Sequence, residues 1–416
     1  MQTGTISEID LNIGKNNKYI VTIILLCIGY FIDFYDLTIF SSSYVNVFRD
    51  AFQMHDTTQI QQLFLKISSI YTAGIFCGAL FFGILGDKLG RTAMIRYSIA
   101  LYSSAMILSV FTTSIPFFTF LRFISGFGLA AEFATSSVLI NELLPVKYAA
   151  RYNSLLYFCG ILGGMTAIYL GAMSWKLLYL FGGIVGFVIY ITRKKILESE
   201  LFSNLQQKTQ KGSVLQLFNS WRNILKFCRL WILIVPFNFL ISIMFIYPKF
   251  MHLTGDLGDL TRELLTGFFI GNLISTLGSN YVINKFKDYR VFILINIILF
   301  SLVMPLFWLV NNQFFLMYAI LLGLLGGGLP TVWIQLVVKS YGTNLRSTAA
   351  NTIFAFGRFS CIGFNSIISV WMISAKTFNF NVLWMVILIL SLVLLALYKT
   401  KNNYEANMQY IEGKPQ

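Results

Sequence analysis

The chain has 416 residues, of which 56% are hydrophobic and only 12% are charged. Soluble domains carry about 25% charged residues, so this composition excludes an ordinary water-soluble protein. A formal net charge of +14 would suit a nucleic-acid partner, but the basic residues are spread over the loops between apolar segments. They therefore indicate membrane topology, and we predict no nucleic-acid binding.

Apolar runs of roughly 20 residues recur along the whole sequence, and each is long enough to cross about 30 Å of hydrocarbon as a helix. The runs are continuous, without the alternation of a β-barrel strand, so helices are favoured. They predict an all-α membrane protein with twelve transmembrane helices, at about 20–41, 66–86, 92–111, 117–138, 154–174, 177–192, 229–250, 263–283, 290–310, 313–338, 347–372 and 380–398.

One long polar stretch divides these helices into six and six. We expect an N-terminal six-helix bundle at 1–192, a cytoplasmic linker at 193–228, and a C-terminal six-helix bundle with a short cytoplasmic tail at 229–416. With both termini in the cytoplasm, about 23 of the 31 Lys and Arg residues lie in cytoplasmic segments, as the positive-inside rule requires. The first apolar run follows mostly polar residues without a cleavage site, so we expect an uncleaved anchor in a bacterial inner membrane.

Glycines surround a charged loop after the second predicted helix, in the pattern Gly83-x-x-Gly86-Asp87-x-x-Gly90-Arg91. Glycine permits a tight turn and a close approach of helices, while Asp87 can face a helix N-terminus or an arginine across the interface between the halves. The fourth predicted helix carries Arg122-x-x-x-Gly126-x-Gly128.

Together these two motifs resemble those of the major facilitator superfamily, and the resemblance extends over nearly the whole chain. It implies two six-helix bundles that move against each other. It also implies that Asp87 pairs near the start of helix eleven or with Arg151, and so holds an outward-open state closed on the cytoplasmic side.

Two acids in the first predicted helix are functional candidates, because a charge inside the membrane is costly. Asp33 and Asp36 are three residues apart and occupy neighbouring positions on one helical face. Two carboxylates this close do not both ionise easily, so we expect one to hold an exchangeable proton. The alternative is that one aspartate only hydrogen-bonds a neighbour at the helix edge.

Three further intramembrane charges lie in helices four and eleven. Arg122 and Glu132 are about 15 Å apart along the helix axis, too far to pair with each other. Arg122 either balances Asp33 or Asp36 or binds an anionic group. Glu132 is a substrate or proton site or has a buried structural partner, and Arg358 is a ligand for a substrate anion or forms a structural pair near the cytoplasmic end.

The pattern Asp33-x-x-Asp36, with Arg122 and Glu132, resembles the metabolite, aromatic-acid and phosphate proton symporter branches of the superfamily. The resemblance implies that proton and substrate residues fall on these four positions. The chain departs from the family pattern at Lys88, at Ala130-Ala131, and in a degenerate second-half loop near Asp288.

We therefore predict a secondary active transporter, not an enzyme, that takes up a small polar or anionic metabolite with protons by alternating access. The alternatives are a proton antiporter that exports a drug-like compound, a siderophore carrier, and, from another class, a transporter-like receptor or membrane enzyme. We expect a functional monomer in the lipid bilayer with no cofactor and no metal site. Residues 326–330, three glycines followed by Leu and Pro, predict a broken or flexible helix ten.

Overall fold

The computed structural model describes residues 17–171, 173–205, 211–250, 257–309, 314–371, 375–406 and 408–412. Within these ranges the chain forms twelve long helices and no strand. In chain order they are α1 (Asn17–Phe52), α2 (Thr57–Leu89), α3 (Arg91–Val110), α4 (Ile115–Leu129 and Glu132–Leu143), α5 (Val146–Leu170), α6 (Trp175–Thr192), α7 (Trp221–Ile232 and Val235–Phe250), α8 (Leu257–Phe286), α9 (Tyr289–Val303), α10 (Phe315–Ser340), α11 (Arg346–Trp371) and α12 (Ala375–Tyr398).

Ten of these helices contain a stretch long and apolar enough to cross a membrane. The other two, α8 and α11, begin with charged or polar residues, such as the run Arg346-Ser-Thr at the start of α11. The predicted all-α fold of twelve helices is confirmed. Several helices extend beyond the predicted apolar runs, because a helix continues into the polar region at the membrane surface wherever its backbone can stay hydrogen-bonded.

The two halves, α1–α6 and α7–α12, repeat the same helix packing. In the first half α2 packs on α4 and α1 on α5; in the second half α8 packs on α10 and α7 on α11. Between the halves, α2 packs on α11 and α5 packs on α8. Helix α2 of the first half corresponds to α8 of the second, and α5 corresponds to α11. The two contacts are therefore equivalent by the pseudo-symmetry. This pseudo-symmetry is typical of transporters built from structural repeats.

Glycine allows the closest helix contacts within each half. A Cβ on Gly323 of α10 would lie 2.9 Å from the Cα of Gly271 in α8, and one on Gly328 would meet the Phe292 and Ser279 side chains. Helix α10 runs without interruption from Phe315 to Ser340 with Pro330 inside it. Of the two alternatives predicted for helix ten, broken or flexible, a broken helix is therefore wrong, because these glycines admit neighbouring helices and do not end the helix.

The segment between the halves is shorter than the predicted linker, because α7 begins at Trp221. Apolar residues recur at helical spacing in Trp221–Ile232, the first part of α7, and Phe227 and Leu230 are buried. The remaining segment includes a short helix at Glu200–Ser203 and packs on the loop between α2 and α3. The Glu198 carboxylate accepts a hydrogen bond from the Thr92 amide at 3.1 Å, at the N-terminus of α3.

Candidate functional site

Asp36 and Arg122 join α1 to α4 in the interior of the N-terminal half. Both side chains are fully buried, and Arg122 Nη2 lies 3.4 Å from Asp36 Oδ1. The Ser125 hydroxyl donates to the other carboxylate oxygen of Asp36. The Tyr179 ring lies 4.9 Å from the Arg122 guanidinium carbon and provides a cation–π contact. Of the two roles considered for Arg122, this geometry supports the balancing of an aspartate.

Asp33 differs from Asp36 although the two share a helical face. It is 1% exposed, and its Oδ1 atom has no hydrogen-bond partner among the described residues. A buried polar atom without a partner is costly and marks a place where a proton, water or ligand can bind. Asp33 is therefore the acid of this pair with free binding capacity.

Glu132 forms an ion pair with Arg193, the residue that follows α6. Arg193 Nη1 donates to Glu132 Oε2 at 3.0 Å, and Nη2 donates to Oε1. Nη1 also donates to the carbonyl of Ile95 at 2.9 Å. A Cβ on Gly29 would lie 2.6 Å from Arg193 Cζ, so glycine leaves room for the guanidinium. The structure thus supplies the buried partner that was one alternative for Glu132.

Arg193 was placed in the polar linker by the sequence analysis, and this placement is wrong for its side chain, which is 2% exposed. The three consecutive basic residues 193–195 look solvated in the sequence. Only the packing of α6 against α3 and α1 turns the first of them inward. Glu132 lies in an apolar run and has no basic residue three or four positions away. This pattern indicated that its partner would come from a distant part of the chain.

Arg358 lies in the middle of α11 and forms no hydrogen bond or ion pair with the residues that the structure describes. Its guanidinium carbon is 4.7 Å from the centre of the Phe354 ring. It interacts electrostatically with Asp33, Tyr30 and Tyr157 of the other half. Among the described residues, Arg358 therefore has no partner for the structural pair near the cytoplasmic end that was one alternative for it.

Aromatic rings from both halves surround this region. The Tyr30 and Phe133 rings are stacked with centres 5.1 Å apart, and Phe133 contacts Phe354 across the interface at 5.2 Å. Phe34 and Tyr157 meet edge to face at 6.0 Å. We call the following set the central cluster: Tyr30, Asp33, Phe34, Phe133, Tyr157, Phe354 and Arg358. The five rings of this cluster were not predicted. The chain has 40 Phe and 21 Tyr residues, so aromatic residues at these positions do not differ from the rest of the sequence.

Asp87 binds the start of α11 across the interface between the halves. Its carboxylate accepts hydrogen bonds from the amides of Ser347 at 3.1 Å and Thr348 at 2.7 Å, and from the Thr348 hydroxyl at 2.7 Å. It also lies 3.2 Å from Arg91 Nη2. Free amides and the helix dipole make the first turn of a helix a favourable place for a carboxylate. Of the two partners considered for Asp87, the structure provides the start of helix eleven.

Glu142, at the end of α4, joins two arginines from different halves. Its Oε1 atom accepts from Arg91 Nη2 at 3.1 Å and from Arg346 Nη1 at 2.7 Å. All three side chains are fully buried. We call Asp87, Arg91, Glu142 and Arg346 the gate cluster, after the gating role that the sequence predicts for Asp87, and the end of the molecule where it lies the α2–α3 end.

Arg151 was a predicted gate residue, but it is exposed and does not belong to the gate cluster. The reason is that α5, which carries Arg151, packs on α8, whereas Asp87 lies on α2, which packs on α11. Arg346 of the second half belongs to the gate cluster instead. Arg346 could have been found from the sequence, because it follows Arg151 by about 195 residues and precedes the predicted helix eleven as Arg151 precedes the predicted helix five.

The motif glycines bring α11 against α2. A Cβ on Gly83 would lie 3.2 Å from the Thr348 Cα atom, and one on Gly86 would lie 2.5 Å from the Ser347 hydroxyl. Gly90 has a φ of 107°, a backbone conformation that favours glycine and turns the chain into α3. The motif therefore works as a docking surface for the first turn of α11.

Two pseudo-symmetric halves of apolar helices, joined at their interface by buried ion pairs, are the architecture of membrane transporters built from structural repeats. The sequence profile of the Major Facilitator Superfamily matches residues 26–362, and the chain belongs to this superfamily of transporters. The chain is 23% identical over 309 residues to the 3-(3-hydroxy-phenyl)propionate transporter of Escherichia coli, covering 72% of this chain and 75% of that protein.

A shorter match links the chain to the benzoate transport protein of Acinetobacter baylyi, with 31% identity over 128 residues. It spans 28% of this chain and 28% of that relative. Among solved structures, the proton:xylose symporter XylE bound to 6-bromo-6-deoxy-D-glucose superposes with a TM-score of 0.72 at 16% identity, over 93% of this chain and 98% of the other. This last similarity establishes the shared fold.

Proposed function

We propose that the protein is a proton-coupled symporter that takes up a small carboxylate whose remaining part is flat and apolar, such as an aromatic acid. The observation that carries this proposal is Arg358, a cation in the middle of α11 that has no ion pair among the described residues. It lies between the two halves, where alternating access requires a substrate site.

The chemistry of the central cluster matches such a substrate. A guanidinium binds a carboxylate through two parallel hydrogen bonds, and this interaction strengthens where water is excluded. Tyr30, Phe133 and Phe354 offer flat apolar faces close to that cation. Aromatic rings stack favourably on such faces, so the cluster can bind both ends of a small aromatic acid.

Asp33 provides a direct reason for proton coupling. An ionised Asp33 competes with a substrate carboxylate for Arg358, because both are anions near the same cation. A proton on Asp33 removes this competition, so the proton and the substrate bind together. Asp36 keeps its ion pair with Arg122 throughout, which leaves Asp33 as the acid that changes state.

In the proposed cycle, the gate cluster closes the α2–α3 end, which we assign to the cytoplasmic face of a bacterial inner membrane. The distribution of Lys and Arg supports that orientation, with both termini in the cytoplasm. Release of substrate requires α11 to leave Asp87 and Arg346 to leave Glu142. The two halves then rock about the central cluster while the monomer stays intact.

The names of the relatives support the same substrate class. Benzoate and 3-(3-hydroxy-phenyl)propionate, the compounds named for the two relatives, are both aromatic carboxylic acids. The solved neighbour is named as a proton symporter, although its substrate is a sugar.

Uptake into proteoliposomes tests the proposal. Purified protein is reconstituted with an acidic exterior, and accumulation of radiolabelled benzoate and of a panel of small carboxylates is measured. We expect accumulation above the equilibrium level that a protonophore abolishes, after correction for passive entry of the protonated acid into protein-free vesicles. Export driven by the same gradient would identify an antiporter, binding without flux would identify a receptor, and a chemically altered product would identify an enzyme. Each of these three results would contradict the proposal.

A further inference from the structure

The end of the chain folds back over the loop between α10 and α11. We call residues 404–406 and 408–412 the C-terminal segment. The Thr343 amide donates to the carbonyl of Tyr410 at 3.0 Å, and the Thr343 hydroxyl donates to the carbonyl of Met408 at 2.9 Å. The Glu412 amide donates to Asn344 Oδ1 at 2.8 Å. The loop that precedes the gate residues of α11 is therefore bonded along its length to this segment.

Glu412 is the side chain that anchors the segment. Its Oε2 atom accepts a hydrogen bond from the Gly342 amide at 3.0 Å, and its Oε1 atom pairs with Lys226 Nζ at 2.9 Å. Lys226 also lies 4.0 Å from the centre of the Tyr341 ring. One carboxylate thus connects the beginning of α7 with the α10–α11 loop.

The segment reaches the gate cluster through Arg346. Arg346 Nη2 donates to the carbonyl of Met408 at 2.9 Å, while Nη1 donates to Glu142 at 2.7 Å. Its Nε atom donates to the carbonyls of Val338 and Tyr341 at 3.1 and 3.2 Å. Every nitrogen of the guanidinium therefore has a partner. The Met408 carbonyl is the only one of these partners that belongs to the C-terminal segment.

Arg91, the second arginine of the gate cluster, also contacts the loop that the C-terminal segment binds. Arg91 Nη2 donates to the carbonyl of Thr343 at 2.8 Å and also contacts Glu142. Thr343 is the loop residue that the segment binds through both its amide and its hydroxyl. Long side chains lose conformational freedom when they are held in one orientation, and a preformed set of acceptors reduces that cost.

We propose that Glu412 is a positioning residue for the transport cycle: it holds the C-terminal segment in place, and the segment orients Arg346 and Thr343 so that both gate arginines pair with Glu142. The segment thereby stabilises the closed state of the α2–α3 end. This inference rests on the alternating access of the proposed function, but it depends neither on the substrate nor on the proton.

Distances between spin labels on the two halves test the proposal in the full-length protein. Leu89 and Phe286 are suitable label sites, because they lie at the ends of α2 and α8 and are 61% and 51% exposed. The five native cysteines are replaced first. For Glu412→Ala, we expect the population with the α2–α3 end open to rise roughly tenfold relative to the closed one, as the loss of hydrogen bonds to a charged group implies. The control is Glu405→Ala, which removes the same charge from an exposed position of the same segment and should change the ratio less than about twofold.

A second variant separates positioning from folding. Lys226→Met keeps Glu412 and removes its ion pair together with the contact of Lys226 with the Tyr341 ring. It should shift the equilibrium in the same direction by a smaller factor, with an unchanged melting temperature. Unchanged distances in a folded Glu412→Ala variant, or in Lys226→Met if Glu412→Ala does not fold, would overturn the proposal. So would an equal shift in Glu405→Ala. Because the distances need no substrate, they remain informative even if no carboxylate is transported.

Discussion

Glu132 of α4 and Arg193, directly after α6, form a buried ion pair inside the N-terminal half. Each charge supplies the neutralisation that the other needs in an environment without water. The pair gives the buried Glu132 carboxylate a basic partner within the same half. This leaves Asp33 as the acid with an unsatisfied oxygen in the central cluster.

Removal of one member of this pair should destabilise the protein more than removal of both. Arg193→Met leaves a buried carboxylate without its partner, and we expect a loss of about 3–5 kcal/mol of stability. The double variant with Glu132→Gln should recover most of that loss. Thermal unfolding of the purified variants in detergent measures the effect, and single variants as stable as the parent would contradict the interpretation.

Asp33→Asn should abolish proton-driven accumulation while substrate exchange across the membrane continues. The reason is that asparagine is neutral at every pH, so Arg358 stays free for the substrate but no proton moves with it. Counterflow exchange and gradient-driven uptake, measured on the same proteoliposomes, check this expectation. Asp36→Asn is the comparison: it leaves Arg122 unpaired and should lower stability. An Asp33→Asn protein that still accumulates substrate would exclude Asp33 as the coupling acid.

Arg358→Gln should raise the KM for carboxylate uptake by at least about tenfold, because one charge-assisted contact contributes roughly 1.5–3 kcal/mol. Arg151→Gln is a matched control, since it removes the same charge from an exposed arginine outside both clusters. Initial rates of uptake over a range of substrate concentrations provide the values. Equal KM values for the two variants would show that Arg358 does not bind the substrate.

Asp87→Asn should shift the equilibrium between closed and open states far more than Asp288→Asn. Asp87 accepts hydrogen bonds across the interface between the halves, and asparagine offers one acceptor oxygen where the carboxylate has two. Asp288 bonds within its own half: it accepts from the Arg290 amide at 2.8 Å and pairs with the Arg290 guanidinium at 2.6 Å. The spin-label distances between the halves report both variants. Similar shifts would mean that the second-half loop also acts as a latch.

Gly327→Ala should lower stability by about 1–3 kcal/mol, because its new methyl group would press on the backbone of Asn272 where α8 and α10 meet. A Cβ on Gly278 of α8 would meet nothing within 4 Å. Gly278→Ala should therefore be neutral, or raise stability by up to about 1 kcal/mol through better helix propensity. Melting temperatures of the two variants test the contrast, and equal melting temperatures would contradict it.

Much of the candidate site could be predicted because charge inside a membrane is rare. Asp33, Asp36, Arg122, Glu132 and Arg358 stand out in apolar runs, whatever their surroundings. Their partners do not stand out. Ser125, Arg193 and the rings of the central cluster belong to residue types that are common along the chain, so only their positions in space distinguish them.

Twelve helices, a division into two halves and the superfamily could all be predicted from the amino-acid sequence, because apolar length, polar interruptions and a glycine-rich motif are local properties of the chain. The pairing of the charges could not be predicted: Glu132 pairs with Arg193, Glu142 with Arg91 and Arg346, and Asp87 with the first turn of α11. Pairing depends on which helices touch. That in turn depends on the contacts of α2 with α11 and of α5 with α8, which join residues far apart in the sequence. The same contacts leave Arg151 exposed and place Arg346 in the gate.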